Sequence, residues 1–456
     1  MIHSSVSTNP KDTTRRAIRK TWIHAFTLHA GILMTFGMIP FWKRFADAPP
    51  PFSATYVLGA WIGVPILWTI AWWFLLGMPG FRDLLKDRLR ATFVLLLLLL
   101  AGWAALSWHW AFMRADRPDV AVGAALQLAL VVLFVLVLAC AAPSPRLILL
   151  VIIVSAALSA LVGAMQVAQH HSIGLYAIGE VPLNPLKGGT SVIQSGARRW
   201  LRPYGLTVHP NLLAGFLAVA LLGLGAFILS RRSFRWSVIV FWGVLWVFFL
   251  TFSRGAWIGF SAGAVVLLVL LLRHLQQGPE ARARRWRAGV TLVGAVALGA
   301  AFLWLYHPLL LARTGIIAES TEARSINERV IYSNIADIAV QEYPLIGLGS
   351  GNFPWYASYY LFYRTDLDMR GDNVHQVYLY AHAELGIVGI LLVYAALIVG
   401  FEAALRTPPD SQSMYRYAML AGVVACGFIG LVDHYFWTIV NYQVLWWGLL
   451  ALSARR

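Results

Sequence analysis

The sequence predicts an all-α polytopic membrane protein with about twelve transmembrane helices. Of its 456 residues, 59% are hydrophobic and only 12% are charged, and the chain contains 20 tryptophans. A soluble globular domain has about 25% charged residues. Apolar windows of about 20 residues, each long enough to cross roughly 30 Å of hydrocarbon as a helix, recur along the whole length. We therefore expect a single integral membrane domain over residues 1–456.

Twelve apolar windows account for most of the chain. They lie at approximately 22–41, 54–77, 91–113, 120–142, 147–168, 211–230, 236–252, 256–272, 288–306, 376–401, 415–432 and 436–453. The first follows a basic tail, is too long for the h-region of a cleaved signal peptide and precedes no small-residue cleavage site, which predicts a retained anchor. Cys140 and Cys426 fall inside apolar windows, so they are expected to be small buried hydrophobic residues.

The distribution of basic residues predicts the orientation. Lysine and arginine are concentrated in the N-terminal tail and in the connections 78–90, 231–235 and 273–287, whereas the opposite connections are neutral overall. Because cytoplasmic loops carry the excess of basic residues, both termini are predicted to be cytoplasmic. This asymmetry explains the formal net charge of +16 without a nucleic-acid partner. The two long connections, 169–210 and 307–375, then lie on the outer side.

Three arginines precede the sixth window in the stretch ARRWLRPYGLTVHPNLLAG. Arg198, Arg199 and Arg202 lie on the outer side, where basic residues are sparse, so they are candidates for an anion site; contact with lipid headgroups is the alternative. The HPN sequence suits a helix start, because proline needs no amide partner there and asparagine can satisfy one. His209 and Asn211 are thus either a helix cap or supporting residues of the site.

The second long connection contains a predicted helix, SINERVIYSNIADIAVQEYP. Ile331, Ile335 and Ile338 recur at helical spacing and predict one buried face, from which Arg329 points away. Pro344 ends the helix. The following GLGSG is predicted to be a plain turn, because no strand precedes it and no βαβ unit surrounds it, as a dinucleotide fingerprint would require.

Histidine and arginine occur at the outer ends of two further windows. His375, in NVHQVYLYAHAELGIVG, stands at the start of the tenth window, and Glu384 lies deeper in the same span. Histidine titrates near neutrality, which suits proton transfer, although a polar anchor at the interface is the alternative. Glu384 is predicted either to orient His375 or to cap the span. Arg254, in TFSRGAW, separates two apolar runs on the same side, where a charge needs water or a partner.

These candidates together predict a site for a lipid-linked sugar diphosphate. Arg202, Arg254 and Arg329 carry guanidinium forks that match phosphate oxygens, and all three lie on the outer side. The headgroup of such a lipid lies at that depth. Asp366 and Asp368 form a D-x-D pair that could hold a divalent cation. Because three arginines would already neutralise the diphosphate, we predict no metal ligand and no cofactor.

Four motifs in this order resemble the superfamily of bacterial O-antigen ligases, O-antigen polymerases and O-oligosaccharyltransferases. The motifs are RPYGLTVHPNLLAG, TFSRGAW, NERVIYSNIADIAVQEYPLIGLGSGNF and NVHQVYLYAHAELGIVG, and they cover roughly residues 195–390. The resemblance implies an architecture similar to multispanning glycosyltransferases of the GT-C type. It also implies a multi-pass protein of the bacterial inner membrane, with 169–210 and 307–375 as periplasmic loops and the active site on the periplasmic face.

The resemblance further implies metal-independent, inverting transfer of a glycan from undecaprenyl diphosphate to an acceptor. Arg254 and Arg329 match the diphosphate-binding arginines of the family, and His375 matches the histidine that activates the acceptor hydroxyl. The family often has asparagine directly after this histidine. This chain has Gln376 there and Asn373 two residues before the histidine, which leaves a role for Asn373 open.

Within the superfamily the sequence favours the ligase, which joins O-antigen to lipid A-core in lipopolysaccharide assembly. A protein O-oligosaccharyltransferase usually carries an extra soluble C-terminal region, and this chain stops soon after its last window; an O-antigen polymerase is the closer alternative. A transporter of lipid-linked oligosaccharides is less favoured, because the two halves show no self-similarity and the charges collect at the outer ends of the spans. The length of loop 307–375 argues against a purely structural subunit.

Overall fold

The structure is a computed structural model that describes residues 25–41, 61–196, 198–230, 234–276, 278–313, 321–365, 369 and 371–455. Asp366 and Asp368 lie outside the described residues. The helices are α1 Ala25–Gly37, α2 Gly63–Leu75, α3 Phe81–Lys86, α4 Arg88–Leu106, α5 Pro118–Ala141, α6 Pro145–Gln169, α7 Pro210–Leu229, α8 Phe234–Leu250, α9 Arg254–Gln276, α10 Ala281–Ala312, α11 Thr321–Glu342, α12 Phe353–Arg364, α13 Val377–Leu405, α14 Ser413–Ile429, α15 Tyr435–Thr438 and α16 Val440–Ser453. Single 3-10 turns lie at Ser107–His109 and Tyr176–Ile178.

The prediction of an all-α polytopic membrane protein is confirmed. In the described chain, seven helices are long and apolar enough to cross a membrane, and four shorter apolar helices accompany them. With α16, a helix occupies each of the predicted windows. The bounds differ where the backbone is interrupted. Ile439, with extended backbone, separates α15 from α16, and α10 continues to Ala312 across a kink at Tyr306. The kink precedes Pro308, which has no N–H to continue the helix.

Helix α7 lies in the centre of the bundle and α10 lies at its periphery. In the most apolar part of α7, 94% of the residues are buried inside the protein, compared with 6% in α10. Small residues let neighbouring helices approach α7 closely: Gly215 faces the hydroxyl of Tyr435, and Gly223 faces Leu149. The start of α7, at Pro210, therefore places its side chains in the interior of one end of the bundle.

The connection before α7 contains a β-hairpin. Strands β1 Val192–Ser195 and β2 Arg198–Leu201 pair antiparallel. The segment before the hairpin is held to α6 by a buried carboxylate: Glu180 accepts hydrogen bonds from Gln166 Nε2 at 2.9 Å and from the amide of Leu175 at 2.6 Å. The same Gln166 side chain accepts from the amide of Gly205 at 2.8 Å. These contacts fix the segment that carries Arg199 and Arg202 over the start of α7.

Helix α11 confirms the predicted helix, which ends before Pro344, but its buried face differs from the prediction. The fully buried residues are Tyr332, Ile335, Ala336 and Ala339. Arg329 is half-buried and lies one turn before Tyr332, on the same side of the helix, so it does not point away from the packed face. Ile335 lies in this face as predicted, whereas Ile331 and Ile338 are only partly buried at its edges.

Helix α13 is broken, and the GLGSG turn fills the break. Gly386 has φ +65° and ψ −167°, so the helical hydrogen bonding stops there. The amides of Leu348 and Gly349 donate to the carbonyls of Ala383 and Glu384 at 2.9 and 2.8 Å. Gly347 lies at φ +69° against the backbone of Glu384, where no Cβ fits. The turn therefore satisfies carbonyls that a broken membrane helix would otherwise leave unpaired.

Candidate active site

His375 and Asp433 meet at the end of the bundle where α13 begins and α14 ends. The amide of Val377 donates to the carbonyl of Gly430 at 2.7 Å, which holds the two segments together. His375 Nδ1 lies 3.5 Å from Asp433 Oδ1. This distance is longer than that of a well-formed N–H···O hydrogen bond, and catalytic hydrogen bonds are often this long before substrate binds.

The carboxylate of Asp433 is held from two sides. Its Oδ1 accepts a hydrogen bond from the amide of His434 at 2.9 Å, and its Oδ2 accepts one from Asn211 Nδ2 at 2.9 Å. The ring of His434 packs edge-on against that of His375, with centroids 5.0 Å apart. Asp433 is therefore fixed in direction, and it presents an oxygen to one nitrogen of His375.

Charges around Asp433 keep it ionised. Burial alone would raise the pKa of this carboxyl group, but its contact with His375 and the charge of Arg329 hold its pKa far below the usual range. Burial, followed by the charge of His375, lowers the pKa of His434. At neutral pH Asp433 is thus a carboxylate next to His375, and the imidazole of His434 is neutral.

A cavity of about 370 Å³ lies next to this pair. It carries four arginines, one from strand β2, one directly after β2, one from the end of α10 and one from α11. They are Arg199, Arg202, Arg313 and Arg329, and the polar wall also includes His209, Asn211, Thr190, Ser191 and Ser325. The volume lies within the range of small-molecule sites, roughly 300–1,000 Å³. These residues are typical of an anion site, because one guanidinium group can bind two oxygens of a phosphate or carboxylate.

Arg202 is the most rigidly held of the four. Its side chain is only 3% exposed, and Nε donates to the carbonyl of Thr251 at 2.6 Å. The two terminal nitrogens donate to Ser191 Oγ and Asn211 Oδ1, both at 2.8 Å. Asn211 consequently touches both halves of the site: its oxygen accepts from Arg202 in the cavity, and its nitrogen donates to Asp433 beside His375.

The structure brings Arg202 and Arg329 together with His375. Arg254 lies outside this group and contacts it through Arg313. The charges of Arg202, Asp433, His375 and Arg329 all act on His209, so these groups lie within electrostatic range of one another. Arg254 begins α9 with an exposed side chain that donates to the carbonyl of Arg313 at 2.8 Å. The wall of the cavity does not include it. The predicted cluster is thus only partly formed as expected, with Arg313 as the link to Arg254.

His209 caps helix α7, and the side chain of Asn211 does not, whereas the sequence analysis had considered asparagine for the cap. His209 is the N-cap of α7, and its Nδ1 accepts from the amide of Asn211 at 3.1 Å. Histidine rather than asparagine therefore caps the helix. This leaves the Asn211 side chain to connect Arg202 and Asp433.

Glu384 does not orient His375, which corrects one of the two alternatives from sequence. Its Oε2 accepts from Trp437 Nε1 at 3.1 Å, and its Oε1 accepts from the amide of Phe353 at 3.4 Å. Since Glu384 lies in mid-helix on α13, it does not cap the span either. The carboxylate beside His375 is Asp433.

Three side chains could coordinate a metal ion. Ligand atoms of His375, Asp433 and His434 lie within 4.8 Å of one another, which is a histidine–carboxylate set that suits zinc and related ions. One nitrogen of His434 is engaged, since its Nδ1 lies 2.8 Å from Thr438 Oγ1. The sequence prediction had considered only Asp366 and Asp368 as metal ligands.

His209 is expected to make the protein less stable in mild acid. Burial, and then the positive charge of Arg202, lower the pKa of His209 to about 3. The unfolded chain binds its proton near pH 6.5. Stability from this residue is therefore complete above about pH 6.5 and is lost as the pH falls towards 3. We expect the melting temperature in detergent to fall over this range.

The variant His209→Asn tests this expectation, because asparagine is a good N-cap that does not titrate. Its melting temperature is expected to decline less than that of wild type between pH 6.5 and 4.5. The remaining decline would include a contribution from His434, whose pKa is also lowered. Parallel curves for wild type and variant would contradict the assignment to His209.

Sequence reasoning missed Asp433, His434 and Arg313. The signal for the first two was present: LVDHYFW places an acid and a histidine between two apolar windows on the predicted outer side. This is the same kind of position that singled out Arg254. Arg313 had no comparable motif, and its role depends on the kink that carries α10 beyond residue 306.

Comparison with known protein families gives one match. Residues 239–394, about a third of the chain, match the model of the O-antigen ligase family, Wzy_C. The matched segment runs from α8 into α13 and includes Arg254, Arg329 and His375, whereas Arg202 and Asp433 lie outside it. No curated protein matches the chain. This match supports membership of the chain in the superfamily of O-antigen ligases and polymerases.

Proposed function

We propose that the protein is an O-antigen ligase, which transfers O-antigen from undecaprenyl diphosphate to a sugar hydroxyl of lipid A-core in lipopolysaccharide assembly. The family match supports ligase- or polymerase-type chemistry by a glycosyltransferase-like enzyme. The observation that carries the proposal is the His375–Asp433 pair beside a cavity with four arginines, with Asn211 in contact with both.

The arginine cavity would bind the diphosphate of the donor lipid. Arg202 and Arg329 face it from opposite parts of the chain, the first after the hairpin and the second on α11. Guanidinium groups stay charged at any depth and bind phosphate oxygens in a bidentate manner. As the sugar–oxygen bond breaks, negative charge grows on the diphosphate oxygen, and the arginines stabilise it. Arg254, through Arg313, supports this wall and need not touch the lipid itself.

His375 would act as the general base. Asp433 Oδ1, 3.5 Å from Nδ1, would favour the tautomer with its proton on Nδ1 and so leave the other ring nitrogen, Nε2, as a base for the acceptor hydroxyl. The freed acceptor oxygen attacks the anomeric carbon from the face opposite the diphosphate. The carbon–oxygen bond to undecaprenyl diphosphate breaks, and this anion leaves with the bonding electron pair. The configuration at the anomeric carbon is inverted, and the reaction needs no metal or cofactor.

The proposed orientation places the site on the periplasmic face of the inner membrane. Both termini would be cytoplasmic, and 169–210 and 307–375 would be periplasmic loops. Support comes from the basic connections 231–235 and 273–287, which mark the cytoplasmic side. In intact spheroplasts, a membrane-impermeant maleimide should label Lys187→Cys but not Arg285→Cys, and the reverse pattern would overturn this orientation.

A purified-protein assay tests the proposed function. Wild-type protein is incubated with undecaprenyl-diphosphate-linked O-antigen and lipid A-core, with and without EDTA. We expect ligated lipopolysaccharide in both samples, because the arginines replace a metal in charge stabilisation. The products are separated by gel electrophoresis and detected with an antibody against the O-antigen.

Two other outcomes would change the proposal. Longer lipid-linked glycans without ligation would show an O-antigen polymerase. Ligation that is lost in EDTA and restored by a divalent cation would assign a metal to His375, Asp433 and His434, or to Asp366 and Asp368, instead of metal-independent catalysis.

A further inference from the structure

A cavity at the opposite end of the bundle from His375 carries a second group of charged side chains. Its volume is about 400 Å³, and its walls come from the turn before α3, from α3, from the start of α4, from the end of α5 and from the segment after α16. Thr407 Oγ1, just beyond the end of α13, donates to the carbonyl of Ala454 at 3.1 Å, so this cavity and His375 lie at opposite ends of α13. We call it the basal cavity, and its charged residues are Asp83, Lys86, Asp87, Arg90 and Arg455.

Both acidic residues of the basal cavity are paired with basic residues of the same wall. Lys86 Nζ lies 2.8 Å from Asp83 Oδ1 in an exposed pair. Asp87 caps α4 by accepting from the amide of Arg90 at 3.3 Å, and its other carboxylate oxygen lies 4.0 Å from the Arg90 guanidinium. Three basic and two acidic side chains leave the cavity with a formal excess of one positive charge.

Arg455 carries that excess charge. Its side chain is partly buried, and within the described chain it forms no hydrogen bond or ion pair. Burial, and then the positive charge of Arg90, lower the pKa of Arg455, because the two guanidinium groups face the same partly desolvated space. A guanidinium stays charged at neutral pH, so the two groups repel each other unless an anion lies beside them.

Exposed apolar side chains lie in the same segment as the cavity wall. Phe74 and Leu75 end α2, Met78 lies in the turn before α3, and Leu85 is on α3; all four are exposed. Because the apolar helix α2 ends beside the cavity, these side chains are placed to contact acyl chains at the membrane interface. A molecule that joins a phosphate to acyl chains matches both surfaces, whereas free phosphate matches only the arginines.

The headgroup of an anionic phospholipid fits the size and charge of the basal cavity. Its phosphodiester carries one negative charge, which equals the formal excess in the cavity. The volume lies within the range of small-molecule sites, roughly 300–1,000 Å³, and arginine forks pair with phosphate oxygens. Basic pockets between membrane helices on the cytoplasmic side are typical sites for such headgroups. A zwitterionic headgroup adds an ammonium group, which Arg455 repels.

We propose that the basal cavity binds the headgroup of an anionic phospholipid, with Arg90 and Arg455 in contact with the oxygens of its phosphate. The bound lipid connects α3, α4 and α5 with the segment after α16 and relieves the repulsion between the two arginines. The site is separate from the candidate active site, so the proposal stands or fails independently of the proposed ligase activity.

A binding titration of the purified protein in detergent tests the proposal. The ligands are phosphatidylglycerol, phosphatidylethanolamine and inorganic phosphate, and native mass spectrometry measures the affinity for the first bound molecule. We expect wild type to bind phosphatidylglycerol more tightly than the other two ligands. Arg455→Gln should bind phosphatidylglycerol about fivefold more weakly, which is the usual contribution of one basic residue near anionic lipid. Its affinity for phosphatidylethanolamine should equal that of wild type.

Arg406→Gln is the matched control, because it removes one positive charge at the same end of the bundle. Arg406 pairs with Glu402 on the surface at 2.6 Å and lies outside the basal cavity, so the variant should keep the wild-type affinity. An equal loss of affinity in Arg406→Gln and Arg455→Gln would show a general charge effect and overturn the site.

Two outcomes with wild type alone would also overturn the proposal, so the test does not depend on the folding of Arg455→Gln. Equal affinities for phosphatidylglycerol and phosphatidylethanolamine would exclude selection of an anionic headgroup. Binding of inorganic phosphate as tight as that of phosphatidylglycerol would show a site for free phosphate instead of a lipid.

Discussion

The variant His375→Ala is expected to lose between about 100-fold and 10,000-fold in kcat for ligation, the usual contribution of a positioned general base. Donor binding should change little, because the arginine cavity does not depend on the His375 ring. The measurement is initial-rate kinetics of purified protein with undecaprenyl-diphosphate-linked O-antigen and lipid A-core. The split between kcat and donor KM separates loss of the base from general loss of structure.

His171→Ala is the control for this experiment. His171 lies on the same predicted periplasmic side and is exposed, with Nδ1 2.6 Å from the carbonyl of Ser172. We expect wild-type rates for this variant. A folded His375→Ala protein that ligates at the wild-type rate would exclude His375 as the base and would leave the role of Asp433 unexplained.

Replacement of Arg329 with alanine should reduce kcat/KM for the donor by about 100-fold to 1,000-fold. Removing a single well-placed donor to a developing negative charge typically costs this much. Arg329 lines the cavity, and its charge also acts on Asp433, so its loss removes a contact to the diphosphate at the point where the bond breaks. Lysine at this position should restore only part of the activity, because a single ammonium group lacks the planar fork.

Arg364→Ala provides the comparison. Arg364 lies on α12 in the same long connection and donates to Glu342 at 2.7 Å on the exposed surface. Surface ion pairs contribute about 0–1 kcal/mol, so activity should stay within a few-fold of wild type. Equal losses for Arg329→Ala and Arg364→Ala would indicate general destabilisation of the loop, and wild-type activity of Arg329→Ala would remove it from the diphosphate site.

The fold could largely be predicted because the hydropathy of a membrane helix is a local property of about 20 residues. Even so, the break at Gly386 could not be predicted. A lone glycine is tolerated in a membrane helix, and it becomes a break here only because the turn at residues 347–349 supplies the missing hydrogen bonds. The pattern likewise located the buried face of α11 only in part, since Ile335 lies in that face but Tyr332, Ala336 and Ala339 form the rest of it.

The candidate site could be predicted in part. His375, Arg202 and Arg329 were identified by residue type and by their common side of the membrane. That reasoning cannot give distances, so it placed Arg254 in the cluster and left open whether Glu384 orients His375 or caps the span. The structure places Arg254 behind Arg313 and puts Asp433 beside His375, from a turn 58 positions further along the chain.

The sequence alone thus determined that the chain is a helical membrane protein with its chemistry at one end of the spans, because burial in lipid constrains every 20-residue window separately. Only the tertiary structure decided which charged groups lie together in the candidate site. Contacts such as Asn211 with Arg202 and Asp433 join residues 9 and 222 positions apart, and helix packing, rather than local pattern, sets such distances.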